Sequence, residues 1–409
     1  MLVANPRATR AAYPAELKAI LSIKNAQESR EWLSCWDKIS PHATPLRELR
    51  GLAARLGVGS ISIKDESARS VLGSFKALGA PIALVRLIQR LWPNHDLDAR
   101  GLFEGSYRDL LTHFTVVSAT DGNHGKGLAA AAQTLGCRCV IVLHANVSVE
   151  RENAIAAYGA EMVRISGNYD ESVEEAARLA SLNGWHVVSD TSYDGYEDIP
   201  RDVMQGYGTI AAEILEQSNS QPDHPAYTHV FLQGGVGGLA AGLVSYLCEF
   251  HGQHRPRFVV VEPQQADCLY QSALAGRAAR ATGSVDSVMA GLACGETSPL
   301  AWKFLQLAVD DFMTISDDDA VNAMRVLAAG SDTDAPVVAG ESGVAGLAGL
   351  IILLQDPQLA SKVGLDGSSR VLLVNTEGAT APATYQELVG ETAQSVLERQ
   401  LAWLAEPTA

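Results

Sequence analysis

Short apolar runs alternate with longer amphipathic segments along the whole chain, and this repeat limits the fold more than any other feature. Most runs are solid stretches of Val, Ile and Leu without alternation of apolar and polar residues. Strands that are buried on both faces of a parallel sheet have this composition. Gly-rich or polar turns separate each run from the segment that follows it. The pattern therefore predicts an α/β fold with doubly wound sheets.

The strongest apolar runs are predicted to be strands, and the amphipathic segments are predicted to be helices. The predicted strands are Ser62–Asp65, Phe114–Ser118, Cys139–Leu143, Met162–Ile165, His186–Ser189, His229–Leu232, Arg257–Val261, Phe312–Thr314 and Arg370–Asn375. The predicted helices are Phe75–Leu91, His124–Leu135, Val149–Tyr158, Glu171–Leu182, Arg201–Glu216, Leu239–Phe250, Asp317–Ala329 and Val344–Gln355. An irregular stretch is expected around Trp92–Ser106. A chain of 409 residues suits two or three domains or one large two-lobed unit.

Composition and charge exclude several classes of protein. The formal net charge is −16, and such an acidic chain is not expected to bind nucleic acid or an anionic membrane. The longest apolar stretch, Gly343–Leu354, is shorter than the roughly 20 residues that a membrane-spanning helix needs. The N-terminus lacks a signal-peptide pattern, so a cytoplasmic protein is expected. Cys137 and Cys139 have no neighbouring Cys or His pair in the sequence, so no metal site is predicted.

Lys76 is the first candidate for chemistry. It closes the sequence GSFK after a predicted strand, at the start of a predicted helix. The positive end of a helix dipole and burial both disfavour an ammonium group, and a neutral amine is the nucleophile that Schiff-base chemistry needs. Taken alone, the motif is also compatible with a solvated lysine in a first helical turn.

A second candidate turn, DGNHG at residues 121–125, lies between a predicted buried strand and an Ala-rich helix. Ligands bind at the ends of such strands in doubly wound sheets. Asn123 has an amide that can donate to a phenolate oxygen, and Asp121 places a carboxylate beside a ligand. Asp, Gly and Asn also suit an ordinary capped turn, so this motif alone does not identify a site.

A third candidate turn, GGVGG at residues 234–238, also joins a strand to a helix. Its glycines allow backbone N–H groups to converge on an anion at a helix N-terminus. The spacing is not that of a dinucleotide fingerprint, so the turn is predicted to bind a single phosphate group rather than NAD. A tight turn that permits close helix–sheet packing is the alternative.

Two further polar positions follow predicted strands. Thr376 comes after the last strong strand, where a hydroxyl can face a ring nitrogen or cap a helix. Asp190 ends another strand and begins a polar, aromatic loop. Its carboxylate either faces a site or is solvated. The acidic run Asp317–Asp319 is predicted to stabilise a helix N-terminus and is assigned no function.

The lysine turn, the DGNHG turn and the GGVGG turn, in that order, resemble fold-type II pyridoxal-phosphate (PLP) enzymes such as the tryptophan synthase β chain, threonine and serine dehydratases and cysteine synthase. The resemblance covers roughly residues 45–385. Dehydratases usually have Ser at the position of Asp121. This Asp, the segment GLACGE (291–296) and the segment VSDTSYDGYEDIP (188–200) resemble diaminopropionate ammonia-lyases.

This resemblance implies the roles of individual residues. Lys76 is expected to form the Schiff base with pyridoxal 5'-phosphate, and Asn123 is expected to contact the 3′ oxygen of the cofactor. Thr376 is expected near the pyridine nitrogen. Asp121 and Asp190 are the expected acid/base carboxylates that face the substrate. The residues expected to hold the phosphate are Gly234, Gly235, Val236, Gly237 and Gly238.

The implied reaction is α,β-elimination of ammonia from 2,3-diaminopropionate, which gives pyruvate and ammonia. The β-ammonium group adds a positive charge to the substrate, and the two carboxylates would complement it. One alternative is a threonine/serine dehydratase or a cysteine synthase-like β-replacement enzyme, because Ser74 occupies a position where the ammonia-lyases usually have Asn. Another is a non-catalytic ligand-binding protein that retains the fold. The sequence does not fix the preference for D or L substrates.

The resemblance also implies the organisation of the chain. It suggests a homodimer, a large PLP-binding domain of residues 1–85 and 218–409, and a small domain of residues 86–217. The polar stretch Gln217–Tyr227 is the predicted connection between the lobes. In this family Cys268 and Cys294 fall in segments that can approach each other. A disulfide and a pair of free thiols both remain open, although a reducing compartment favours thiols.

Overall fold

The computed structural model describes residues 1–120 and 122–405, except for the side chain of Asp170. In this part of the chain the strands form two separate sheets. In chain order the strands are β1 Leu2–Ala4, β2 Leu46–Glu48, β3 Ser60–Asp65, β4 Thr115–Ala119, β5 Arg138–Leu143, β6 Glu161–Arg164, β7 His186–Val187, β8 His229–Gln233, β9 Arg257–Pro263, β10 Asp311–Ile315 and β11 Arg370–Asn375.

Helices connect most of these strands, as expected for a doubly wound fold. The α-helices are α1 Ala15–Lys18, α2 Ile23–Leu33, α3 Arg50–Leu56, α4 Ala80–Leu91, α5 Ala99–Phe103, α6 Arg108–Leu111, α7 Asn123–Leu135, α8 Val149–Ala156, α9 Tyr169–Asn183, α10 Asp198–Gln217, α11 Gly238–His251, α12 Cys268–Ala275, α13 Pro299–Ala308, α14 Asp317–Ala329, α15 Ala345–Gln355, α16 Pro357–Val363, α17 Pro382–Val389 and α18 Ala393–Ala405. Short 3₁₀ helices cover Glu66–Ala68, Phe75–Leu78, Gly252–His254 and Ala290–Leu292.

The first of two compact units comprises Met1–Ile23, Ala43–Ala68 and Ile210–Ala409. Its described strands are ordered β1-β10-β9-β8-β11-β3-β2. The inner strands pair in parallel, whereas β1 and β2 pair antiparallel at the two edges. Parallel strands covered by helices have no solvent-facing side, which explains why β8 and β10 are buried throughout.

The second unit comprises Lys24–His42 and Arg69–Thr209. Its described strands are ordered β6-β5-β4-β7, and every pair is parallel. Val117, Val140 and Val142 of the central strands form an apolar cluster with Ala176 and Ala180 of α9. None of the helices in the described residues of either unit is long and apolar enough to cross a membrane.

Every predicted strand is present, and the predicted α/β, doubly wound fold is confirmed. The sequence did not reveal β1 and β2, because each has only three residues and lies at an antiparallel edge without a long apolar run. The stretch Trp92–Ser106 was expected to be irregular but contains α5, whose N-cap Asp98 accepts a hydrogen bond from the Gly101 amide at 2.8 Å.

The predicted helix Phe75–Leu91 is wrong in one respect. The structure divides it at Gly79 into a single 3₁₀ turn, Phe75–Leu78, and the helix α4. Pro81 lies in the first turn of α4, where its missing N–H group breaks no helical hydrogen bond. Lys76 is therefore not in the first turn of a long helix, and the predicted effect of a long helix dipole on its amine does not apply.

Candidate active site

Lys76 lies in the 3₁₀ turn of the second unit, and its amine contacts a carboxylate. The Nζ atom donates a short hydrogen bond to Oδ2 of Asp190, which follows β7 in the chain. Both side chains are only partly exposed, at 19% for Lys76 and 20% for Asp190. Nζ also lies 5.2 Å from the ring centre of Phe75, within the range of a cation–π interaction. The lysine is therefore held in a cleft rather than extended into solvent.

The charge state of Asp190 follows from this contact. Burial raises the pKa of its carboxyl group, but the positive charge of Lys76 and the hydrogen bond from its amine lower it more strongly, so the pKa lies below its usual range. Asp190 is therefore ionised at neutral pH. An ionised carboxylate can accept protons or hydrogen bonds but cannot donate them.

His124 is a buried imidazole beside the same carboxylate. Its Nε2 atom lies 2.9 Å from the carbonyl oxygen of Val188, so Nε2 carries the proton. Nδ1 has no hydrogen-bond partner among the described residues and lies 3.9 Å from Oδ2 of Asp190. Burial lowers the pKa of His124, which keeps the ring neutral.

Two helices approach the backbone of the Lys76 turn closely because they carry glycine at the contact. A Cβ at Gly127 of α7 would lie 3.2 Å from the carbonyl oxygen of Lys76. A Cβ at Gly206 of α10 would lie 2.0 Å from the carbonyl oxygen of Leu78. Lys126 of α7 also donates to the carbonyl oxygen of Leu72 at 3.1 Å. The turn is therefore fixed from both sides.

Asn123 is the first residue of α7 and is partly buried. It precedes His124, so the DGNHG turn places its amide on the helix that supports the Lys76 turn. Asp121 lies outside the described residues, so its predicted role rests on the sequence alone.

Two tyrosines near this cluster were not singled out by sequence reasoning. Tyr207 of α10 is buried, and its ring centre lies 4.8 Å from that of Phe75. The hydroxyl of Tyr196 accepts from the Ser189 amide at 2.9 Å and donates to the Val187 carbonyl at 3.0 Å. Tyr207 lies in a helix of ordinary composition, which carries no sequence signal. Tyr196 lies in the segment 188–200, which was noted for its resemblance, but nothing in it distinguished this residue.

In the first unit, the GGVGG turn joins β8 to α11. Gly237 has φ of 101°, a left-handed conformation that favours glycine. A Cβ at Gly234 would lie 2.6 Å from Cγ of Glu262, and one at Gly235 would lie 3.3 Å from Sγ of Cys294. Side chains at these positions would fill the space around the turn.

The donors of this turn fit a phosphate group. Among the described residues, the amide groups of Gly235, Val236 and Gly237 donate to no backbone acceptor. The first amides of α11 are also free of helical acceptors, as at any helix N-terminus. Several N–H groups and the positive end of a helix of 14 residues therefore converge on one place.

Thr376 lies at the end of the strand next to this turn. It directly follows β11, which pairs in parallel with β8, and it is buried. Gln233, the last residue of β8, donates from Nε2 to the carbonyl oxygens of Val374 at 2.5 Å and Gly343 at 2.8 Å. The first unit thus brings the glycine turn and Thr376 to neighbouring strand ends.

Cys268 and Cys294 both lie near the glycine turn, and neither forms a disulfide among the described residues. Sγ of Cys268 donates to the carbonyl oxygen of Gly235 at 3.4 Å. Burial raises the pKa of the Cys268 thiol well above its ordinary value, with a further contribution from the buried carboxyl of Glu262. The thiol form is therefore favoured.

Comparison with known proteins connects these features to one family. The family model described as "Pyridoxal-phosphate dependent enzyme" matches residues 39–377. Diaminopropionate ammonia-lyase of Salmonella typhimurium is 39% identical over 380 residues, which cover 91% of this chain and 94% of that protein.

Solved structures agree with the sequence comparison. Holo diaminopropionate ammonia-lyase from Escherichia coli has a TM-score of 0.85 and 36% identity, and the alignment covers 95% of this chain and 96% of that chain. The same enzyme in complex with D-serine has a TM-score of 0.84 at 36% identity, with the same coverage. The match extends over nearly the whole chain, and this protein therefore belongs to the pyridoxal-phosphate dependent enzymes of fold type II.

Proposed function

We propose that this enzyme converts 2,3-diaminopropionate and water into pyruvate and two molecules of ammonia. The observation that carries the proposal is the 39% identity to diaminopropionate ammonia-lyase over 91% of the chain. The contact between Lys76 and an ionised Asp190 supports it, because a negative charge beside the amine complements a substrate with two ammonium groups.

The family resemblance supports the assignment of the residues that would hold the cofactor. We propose that Lys76 joins its aldehyde carbon, that Asn123 contacts its 3′ oxygen and that Thr376 lies near its pyridine nitrogen. The phosphate would rest on the glycine turn, Gly234, Gly235, Val236, Gly237 and Gly238, with the last four as amide donors because the Gly234 amide already donates to the Val261 carbonyl at 2.8 Å. When bound, pyridoxal phosphate withdraws electrons from the substrate Cα, which makes the Cα proton acidic and allows the β-substituent to leave.

The side chains of the chain itself supply the proton transfers. The neutral amine of Lys76 accepts a proton at Nζ, and Asp190 holds the resulting ammonium by charge and hydrogen bonding. Asp121 is proposed as the second carboxylate on the basis of the resemblance. His124, neutral and bonded through Nε2, fixes the carbonyl of Val188 two residues before Asp190.

A serine dehydratase is the second candidate, since the solved relative binds D-serine. Serine has a β-hydroxyl in place of the β-ammonium, so the two reactions differ in the charge near Asp190. The purified holoenzyme should be assayed for pyruvate from D- and L-diaminopropionate, D- and L-serine and L-threonine. We expect kcat/KM to be highest for diaminopropionate. Faster turnover of serine would reject the proposed substrate.

Lys76→Ala provides the second test. The variant should lose both turnover and the visible absorbance band of the lysine-linked cofactor. Lys24→Ala, at an exposed position, is the control and should keep both. If Lys76→Ala keeps the band, another amine holds the cofactor and the assignment fails.

We further propose a cytoplasmic homodimer with a large domain of residues 1–85 and 218–409 and a small domain of residues 86–217. The compact units divide the chain elsewhere, since residues 24–42 and 69–85 belong to the second unit. The family resemblance supports the dimer, and the lack of disulfides among the described cysteines suits a reducing compartment. Light scattering of the holoenzyme tests the dimer, and limited proteolysis tests the domain boundaries. A monomer mass at micromolar concentration would exclude the dimer.

A further inference from the structure

Tyr207 has a buried hydroxyl that the fold does not use. Its side chain is 1% exposed, and the hydroxyl makes no hydrogen bond of good geometry to the described residues, although the amine of Lys76 lowers its pKa as a hydrogen-bonding neighbour does. Buried hydroxyl groups are usually bonded, and an exception requires an explanation. A functional partner that changes its state during turnover is one such explanation.

The ring of Tyr207 is fixed against the turn that carries Lys76. It packs on Phe75 with ring centres 4.8 Å apart, and a Cβ at Gly79 would lie 2.8 Å from its Cε1 atom. The preceding residue, Gly206, allows α10 to reach the backbone of Leu78. Glycine at both contacts sets the distance between the phenol and the lysine turn.

The electrostatics place the phenol in the same cluster as the ion pair. Burial raises the pKa of Tyr207, the positive charge of Lys76 lowers it, the negative charge of Asp190 raises it, and hydrogen bonding with Lys76 lowers it. The balance keeps the phenol protonated at neutral pH. A neutral phenol both donates and accepts hydrogen bonds.

Most neighbours of Lys76 can form a hydrogen bond with only one of the two protonation states of its amine. The ionised carboxylate of Asp190 accepts from an ammonium but has no proton to donate to the lone pair of a neutral amine. The Nε2 proton of His124 is already bonded to Val188. The hydroxyl of Tyr207 can accept from the ammonium and donate to the neutral amine by rotating about its C–O bond.

We propose that Tyr207 is a positioning residue for Lys76, whose hydroxyl bonds Nζ in both protonation states and so holds the amine when it is released from the cofactor. This inference rests on the proposed role of Lys76. Tyr207 would hold the Lys76 amine in position and would not itself take part in the reaction.

Tyr207→Phe tests the inference, because it removes the hydroxyl and keeps the ring against Phe75 and Gly79. We expect the apoprotein of this variant to develop the visible cofactor band several-fold more slowly on mixing with pyridoxal phosphate. We expect kcat on diaminopropionate to fall roughly 10- to 100-fold, as for a misplaced reacting group, with KM changed less than about threefold. The thermal midpoint of the apoprotein should fall less than that of Tyr207→Leu, since Tyr207→Phe keeps the ring contacts with Phe75 and Gly79.

Two controls separate positioning from packing. Tyr193→Phe removes an exposed hydroxyl and should behave as wild type. Tyr207→Leu removes the ring and should lower the thermal midpoint, which reports the packing role by itself. If Tyr207→Phe keeps band formation and kcat within about twofold of wild type, or lowers the thermal midpoint as Tyr207→Leu does, the inference is overturned. Failure of the proposed role of Lys76 gives a different result, because Lys76→Ala would then still form the visible cofactor band.

Discussion

Asp190 carries the negative charge that we expect to influence the choice of substrate. Its carboxylate contacts the amine of Lys76, and the pKa of the carboxyl group, although burial raises it, is held below its usual range by the charge of Lys76. A negative charge at this place favours a substrate with a second ammonium group. The same charge gives serine no comparable advantage, because a hydroxyl carries no charge.

Asp190→Asn should therefore affect two substrates unequally. We expect kcat/KM for diaminopropionate to fall by roughly 100- to 10,000-fold, the range for loss of an acid/base group. The loss for serine should be at least about tenfold smaller if the ammonium contact matters. Steady-state assays of pyruvate release with each substrate measure this, and Asp194→Asn in the same loop is the exposed control. Equal losses on both substrates would show that Asp190 does not sense the β-ammonium.

At the scale of elements, the loop after β7 depends on one aromatic side chain. Tyr196 bonds both the Ser189 amide and the Val187 carbonyl, and its ring stacks on Tyr193 at 4.8 Å. These bonds fix the backbone directly before Asp190. Tyr196, six positions further along the chain, thus helps to fix the position of the Asp190 carboxylate.

Tyr196→Phe should loosen this strand end. The variant keeps the stacked ring but loses two hydrogen bonds to the backbone, so we expect the free energy of unfolding to fall by about 1–2 kcal/mol. Hydrogen exchange at the Ser189 amide should accelerate, and kcat should fall several-fold. Tyr193→Phe, which removes an exposed hydroxyl, should stay within about 0.5 kcal/mol of wild type. Unchanged exchange at Ser189 would contradict the positioning role of Tyr196.

The elements also show what the sequence can and cannot predict. Buried parallel strands and glycine turns follow from local composition, and for this reason β8 and the GGVGG turn were identifiable. The edge strands β1 and β2 depend on pairing with distant residues, which no local pattern reveals. Tyr207 lies in an ordinary helix, and only its contact with Phe75 shows that it lies beside the lysine turn.

On the scale of the whole molecule, both units place their candidate residues in the same kind of position. The DGNHG turn and Asp190 follow parallel strands β4 and β7 of the second unit. In the first unit, the glycine turn and Thr376 follow parallel strands β8 and β11. Carboxyl ends of parallel strands are the usual binding positions of doubly wound sheets. Because the candidate residues of each unit follow parallel strands, the predicted strand ends were sufficient to identify them in the sequence.

Three buried histidines, one in the second unit and two in the first, share a further feature that sets the pH dependence of stability. His124, His229 and His251 each bond a backbone carbonyl at 2.9 Å through one ring nitrogen. Burial lowers the pKa of all three. In the unfolded chain a histidine has a pKa of about 6.5, so below that pH the unfolded state binds more protons than the folded state.

The free energy of unfolding should therefore be fully retained above about pH 6.5 and should fall as the pH drops towards the lowered folded pKa values. Urea unfolding of the apoprotein at pH 7.5 and pH 5.5 measures the difference. His229→Gln keeps an N–H donor for the Val363 carbonyl but cannot titrate, so its loss of stability at pH 5.5 should be smaller than that of wild type. Comparing variants separates the imidazole from carboxyl groups such as Asp311, whose pKa burial raises. His95→Gln, at an exposed position, should leave the pH dependence unchanged. Identical pH dependence in wild type and His229→Gln would mean that this histidine is not held neutral by burial.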